Sequence, residues 1–241
     1  MRNNRLCWIC QTNIADTAEH ALKKSDIVRK YGKGSYQNLG EKQPIHFKDG
    51  KITKLQGANS DAIKNQKDLC KQCNNSLTQP FDRAYDKFIE YVIDNYELIL
   101  ERRFIDFEEI YGEDFPDQQT NLFKYFLKSF GCRIYANPDF KVPLDIITIL
   151  KNDLNHFDTD IKITMSINKE IIRILGKENF NFIGKAEMLY YNLDDAPDQF
   201  GFSFSEHVGW FFINYFYLID VNERTGIEWI ANRKVVFLGE I

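Results

Sequence analysis

The chain lacks a long hydrophobic run. Its longest apolar stretch, Val208 to Ile219, is interrupted by Asn214 and falls short of the roughly 20 residues a membrane-crossing helix needs. It has no internal repeat and no low-complexity segment, so a repeat architecture is excluded. Nothing at the N-terminus resembles a signal peptide: Met1-Arg2-Asn3-Asn4-Arg5 leads straight into a cysteine pair. Cysteine is scarce, five in 241 residues. These absences set aside membrane and disulfide-rich secreted classes. They lead to the expectation of a soluble, cytoplasmic chain whose thiols stay reduced.

Four of the five cysteines form two pairs, Cys7-Trp-Ile-Cys10 and Cys70-Lys-Gln-Cys73. Two short knuckles of this kind supply four thiolates to a tetrahedral zinc with little backbone strain. A redox-active pair would need no second pair, so structural Zn2+ on Cys7, Cys10, Cys70 and Cys73 is the favoured reading. Cys132 stands apart in a helical stretch and reads as a small buried hydrophobe.

The composition, 44% hydrophobic and 15% aromatic, suffices for one large domain or two small ones. The net charge of −4 hides a split: residues 1–80 carry 14 lysines and arginines against 7 acids, while 81–241 carry 17 against 28. A basic segment joined to an acidic one fits a half that faces nucleic acid attached to a half with another task. The same lysines would equally serve to solvate a small, loop-rich zinc module.

Residues 1–80 are poor in periodic pattern, so metal ligation is expected to hold them together. Asp49-Gly50, between alternating apolar residues, predicts a hairpin of type I′ character. After Pro80 a helical stripe runs through Tyr85, Phe88, Ile89, Val92, Tyr96, Ile99 and Leu100, with Asp82 in its N-cap region. A second helix is predicted over about Thr120 to Phe130, ending near Gly131, and a third after Pro143. From about Phe180, strands are predicted at Phe182–Tyr191, Phe200–Ser205, Trp210–Leu218 and Lys234–Leu238. The run Asp194-Asp195-Ala196-Pro197-Asp198 reads as a turn between two of them. The expected class is α+β: a zinc module at about 1–90, with a basic insertion at about 28–58, followed by 91–241 as an acidic accessory domain. A helical middle and a C-terminal antiparallel sheet complete it.

Around the cysteines stand Glu19-His20, Asn65 five positions before Cys70, and Asn74 directly after Cys73. This order, with nine positions from Asn65 to Asn74, resembles the HNH nuclease family, built on the treble-clef or ββα-metal fold. The string from Asn74-Asn75-Ser76-Leu77 to Phe81-Asp82-Arg83 is similar to that of an uncharacterised bacterial subgroup. The resemblance covers about residues 5–90. It implies a metal-dependent endonuclease acting on DNA, RNA not being excluded, in the setting of bacterial defence or mobile elements.

Phosphodiester hydrolysis needs a base to activate water and a cation to stabilise charge on the phosphate and leaving oxygen. By the resemblance His20 is the base, Asn65 supports it, and Glu19 and Asn74 are hard oxygen ligands for one Mg2+ or Mn2+. Each residue also has a plainer reading. His20 could be a surface histidine, Glu19 a solvated charge, Asn65 a loop-bracing amide, and Asn75 rather than Asn74 the ligand. Family members usually carry Asp or His at the Glu19 position. His46 would at most touch phosphate. His156, His207, Asp82 and Asp86 read as structural or surface groups.

The departure from the family is the 44 residues between His20 and Asn65. They carry Lys23, Lys24, Arg29, Lys30, Lys48 and Lys51, with Lys33, Lys42 and Lys54 besides. As a folded flap these would meet phosphates without reading sequence; otherwise the segment is a tolerated surface loop. The competing function is a non-catalytic zinc module that binds nucleic acid or a protein partner. Residues 91–241 carry a separate expectation of a protein partner.

Overall fold

The computed structural model describes residues 5–48, 50–151, 160–193 and 196–241, with only the backbone for 196–199. The chain is mixed α+β and divides into two compact units, Met1–Ser76 and Leu77–Ile241. The division falls before the first long helix, not at the expected 90, because that helix buries its stripe within the second unit. Among the described residues no helix is long and apolar enough to cross a membrane.

The first unit is organised around a short ribbon, β1 (Thr17–His20) and β4 (Lys64–Leu69), paired antiparallel. Thr17 pairs with Leu69, Ala18 with Lys67 and His20 with Lys64, so four residues of β1 span six of β4. The surplus makes two bulges in β4, one at Asp68 and one at Asn65–Gln66. Bulges re-aim side chains at the ends of sheets, and here they fall beside Glu19 and His20.

Between the ribbon strands lie α1 (Lys24–Tyr31) and a hairpin, β2 (Ile45–Lys48) with β3 (Lys51–Lys54). Helix α1 has Asp26 in its first turn and Arg29 and Lys30 in its last, matching its dipole, and stops at Gly32 with φ 78°. The hairpin is where Asp49-Gly50 predicts one, though its type rests on Asp49, which lies outside the described residues. The segment also has a small core of Ile27, Tyr36, Leu55, Ala58 and Ile63. This corrects the expectation that metal alone holds the first unit. The five residues are scattered without a helical or strand period.

In the second unit α2 (Gln79–Asp94) buries Phe81, Ala84, Tyr85, Phe88, Ile89 and Val92, with Pro80 in its first turn. The predicted stripe does not continue in one helix: the chain breaks at Asn95 (φ −115°, ψ 25°) before α3 (Tyr96–Arg102). Nor is Asp82 the cap. Thr78 occupies that position, and Asp82 in the first turn pairs with buried Lys128 at 3.0 Å. After β5 (Phe104–Asp106) and α4 (Phe107–Tyr111) comes α5 (Phe115–Tyr135), which runs through Gly131 instead of ending there. Gly131 is itself buried, and Cys132 and Ile134 beyond it continue the packed face. Helix α6 spans Leu144–Lys151, after Pro143 as predicted.

The sheet of this unit is built from β6 (Ile161–Ile167), β7 (Ile183–Lys185), β8 (Leu189–Leu193), β9 (Ala196–Val208), β10 (Phe211–Tyr217) and β11 (Ile227–Glu228). Helix α7 (Lys169–Leu175) follows β6. Near the C-terminus, β12 (Val235–Phe237) pairs with β5, and β13 (Gly239–Glu240) joins β6. The order is β11-β6-β10-β9-β7, with β13 beside β6 and β8 beside β9.

All its pairings are antiparallel except β13 with β6, so the expected antiparallel sheet is mixed at this position. The predicted strand 182–191 is two strands, β7 and β8. The turn residues Asp194 and Asp195 lie outside the described residues, while Ala196, Pro197 and Asp198 belong to β9. Strand β6 escapes the sequence reading although Ile161, Ile163, Met165 and Ile167 alternate. Buried Asn214 of β10 ties three strands together: its amide donates to Thr164 Oγ1 and Ser166 Oγ of β6 and accepts from Ser205 Oγ of β9. A buried amide satisfied on both ends is not a defect. Phe126 and Phe130 of α5 pack on Tyr215, and Phe88 of α2 packs on Phe211, joining helices to sheet.

Candidate metal centre and the residues around it

The first knuckle is a tight loop closed by Cys7 N donating to Asn13 O at 2.8 Å and Ala15 N to Arg5 O at 2.9 Å. Gln11 takes a left-handed conformation, φ 59°, at its turn. The second knuckle follows β4 and passes into a π-helical turn, Cys73–Leu77. The two knuckles converge. Thiolates about 2.3 Å from a tetrahedral zinc stand about 3.8 Å from one another. Cys10 Sγ and Cys70 Sγ are 3.8 Å apart, and all four sulfurs lie within 4.8 Å of one another. The four cysteines could therefore hold a metal ion such as zinc.

Amide donors surround the sulfurs. Asn13 N reaches Cys10 Sγ at 3.5 Å, Asn13 Nδ2 reaches Cys70 Sγ at 3.7 Å, and Cys73 N reaches Cys70 Sγ at 3.5 Å. Such contacts orient ligands around a metal. Burial pushes the Cys7 and Cys73 thiols up. At Cys10 burial acts the same way, but hydrogen bonds from Thr12 and Asn13 outweigh it and bring the thiol down to about 6. Cation binding at such a centre releases the remaining thiol protons.

Asn74, next to Cys73, donates its side-chain amide to Thr17 Oγ1 at 3.3 Å, and Thr17 donates to Leu69 O at 2.8 Å. The amide nitrogen is thus the end the ribbon holds, and the carbonyl oxygen is the end with metal-donor chemistry. Glu19 sits two residues along β1 from Thr17, with its backbone N–H on Asp68 Oδ1 at 3.1 Å. Asp68 is 2% exposed, and its carbonyl also receives Trp8 N at 3.4 Å. Through its carboxylate and its backbone carbonyl together, bulged Asp68 therefore links the first knuckle to the strand that carries Glu19 and His20.

His20 ends β1 opposite Lys64, so Asn65 is the next residue on the facing strand. The imidazole is half-buried, and its Nε2 is enclosed without a hydrogen-bond partner among the described residues. Burial holds its proton affinity below the ordinary histidine value. The Glu19 carboxylate opposes this, and Lys64, Lys24 and Lys23 add to it. A ring in this setting is neutral at neutral pH. Thr17 and His20 stand at opposite ends of a strand rising about 3.3 Å per residue, so Asn74 is held near one end and His20 lies at the other.

Of the predicted nucleic-acid contacts, Lys24, Lys30, Lys48 and Lys51 are exposed and Lys23 is half-buried. Arg29 is engaged otherwise: its guanidinium is held by buried Asp26 at 2.8 Å. Asn13, Asp16, Thr17 and Asp68 were not legible as site residues. Asp16 Oδ1 accepts Lys71 N at 2.9 Å and so caps the second knuckle. Its place one residue before β1 carries no spacing signal. Cys132 is buried in α5, as expected. His156 lies outside the described residues.

In comparisons with known proteins, no family model, no curated protein and no solved structure matches this chain.

Proposed function

We propose that the first unit is a treble-clef nuclease module of the HNH kind, hydrolysing DNA phosphodiester bonds with His20 as general base. The supporting observation is the placing of His20: a half-buried imidazole, kept neutral, at the end of a bulged ribbon whose other end is tied to a four-cysteine centre. The chain order also agrees, with the ribbon strand β4 running directly into the second knuckle.

The base role falls to Nδ1, since Nε2 is enclosed. Nδ1 takes a proton from water as the water oxygen bonds to phosphorus. The bond to the leaving oxygen breaks, and that oxygen is protonated in turn. A neutral imidazole is the competent form. Glu19 and Asn74 offer a carboxylate and an amide oxygen, a donor set that fits Mg2+ or Mn2+. Bound there, the ion would neutralise charge on the phosphate and leaving oxygen. Asn65, next to Lys64 in the facing strand, would brace the ribbon end.

The test is nicking of supercoiled plasmid by the purified chain with Mg2+ or Mn2+, for wild type and His20→Ala. Loss of nicking in the variant supports the reading. Undiminished nicking by His20→Ala removes His20 from it. Salt-sensitive binding without cleavage by wild type leaves the non-catalytic binding module instead.

A further inference from the structure

Between α1 and the base of the β2–β3 hairpin the first unit opens into a cleft of ≈ 830 Å³. Its walls bring together Lys24 of α1, Lys33 of the following loop and Lys54 of β3. All three are exposed, and none is joined to a carboxylate by an ion pair among the described residues. The carboxylate on the wall, Asp61, is held by Lys64 at 2.8 Å, so it does not neutralise them. Three lysines from separate segments therefore line one space, and none of them is in an ion pair among the described residues.

Gly34 and Gly57 both line the cleft, and Ser35 forms a β-bridge with Gly57. A Cβ at Gly57 would stand 2.8 Å from Gly34 O, and Gly34 has φ +109°. Glycine at both places lets the backbones close up and leaves room for a ligand to approach the main chain. The volume falls in the range of about 300–1,000 Å³ that takes a compact ligand, enough for a short stretch of single strand. The cleft also lies close to the candidate base in the fold: Ala62 lines it, and the carbonyl of the next residue, Ile63, accepts the N–H of Ala21, the residue after His20, at 2.8 Å.

We propose that Lys24, Lys33 and Lys54 form a phosphate subsite that holds single-stranded nucleic-acid backbone beside the bond presented to His20. The assignment to a flanking position rests on the nuclease reading; the binding itself does not. Lys24, Lys33 and Lys54 all belong to the basic stretch between His20 and Asn65 legible in the sequence, whereas their convergence is visible only in the fold.

The experiment measures binding of a short fluorescein-labelled single-stranded oligonucleotide to the full chain, in a His20→Ala background, over a range of salt. It compares Lys24→Ala/Lys33→Ala/Lys54→Ala with Lys67→Ala/Lys71→Ala/Lys141→Ala, which removes equal charge from exposed positions outside the cleft. The expected result is at least about a tenfold loss for the cleft triple, with a salt slope shallower by about 2 and little change in the control. Equal losses in both triples, or none in either, would overturn the subsite. ATP and inorganic tripolyphosphate serve as competitors. Tight ATP binding that the cleft triple abolishes, with oligonucleotide binding unaffected, would overturn the backbone assignment in favour of a free nucleotide. Because no turnover is read, a wild type that fails to cleave sinks the nuclease reading without deciding this one.

Discussion

Asn74 and Thr17 are joined by a hydrogen bond of 3.3 Å, and through it the second cysteine knuckle is fastened to the strand bearing Glu19 and His20. The four-cysteine centre and the candidate chemistry are thus mechanically one piece. Thr17→Val keeps the shape and removes both the acceptor for Asn74 and the donor to Leu69 O. We expect a stability loss of about 1–2 kcal/mol, unchanged zinc content and nicking reduced about tenfold. Metal analysis beside plasmid nicking reads these apart; a variant that nicks at the wild-type rate dissociates the tether from function.

The metal centre makes a sharper demand. Chelation, or Cys70→Ser, is expected to unfold the first unit, since apparent zinc binding of about 10–16 kcal/mol rivals a whole domain's stability. The second unit has its own core and should persist. Circular dichroism and limited proteolysis check this, and Co2+ substitution should give the absorption of a tetrahedral thiolate site. A first unit that stays protected without metal would show that the small Ile27–Ile63 core suffices.

In the second unit, Lys128 is 1% exposed and paired with Asp82. Asp82→Ala removes the carboxylate from a buried ammonium and should cost about 3–5 kcal/mol. Lys128→Met, of similar volume, should be near neutral or stabilising. Urea unfolding of both variants distinguishes a tolerated ion pair from a stabilising one.

His207 sets a pH dependence. Its ring lies between Phe182 and Phe212, at 4.7 and 4.6 Å, and Nδ1 meets Gly209 O at 3.2 Å. Burial lowers its proton affinity, and the Gly209 carbonyl and Glu206 only partly offset this. The folded value lies below the ordinary 6.5, so the unfolded chain takes up the proton first. The contribution is fully present above 6.5 and is lost as pH falls from there through the folded value. Urea midpoints at about pH 8 and pH 5 should fall less for His207→Leu than for wild type. An equal fall would assign the acid sensitivity elsewhere.

How much of this was legible follows from where each signal resides. The cysteine knuckles, the α2 stripe and the Asp49-Gly50 hairpin are local patterns, and local patterns read directly. The bulges of β4 are not local: they exist only in the register against β1, so Asp68 passes for one more surface acid until its burial is seen. The core of Ile27, Tyr36, Leu55, Ala58 and Ile63 has no period to announce it. Gly131 suggests a helix end because glycine disfavours helix interiors by about 1 kcal/mol, a penalty the packed face of α5 overrides. Strand β6 did carry an alternating signal, and its short length beside helical neighbours concealed it.

His20 is the centre of the account, and its most direct measurement is plasmid nicking with Mn2+ by zinc-loaded wild type and zinc-loaded His20→Ala. A general base contributes about 10²–10⁴-fold, so we predict cleavage by wild type and a loss of at least about a hundredfold in a variant that still folds and binds zinc. Equal cleavage by the two proteins, or none by wild type, would contradict it.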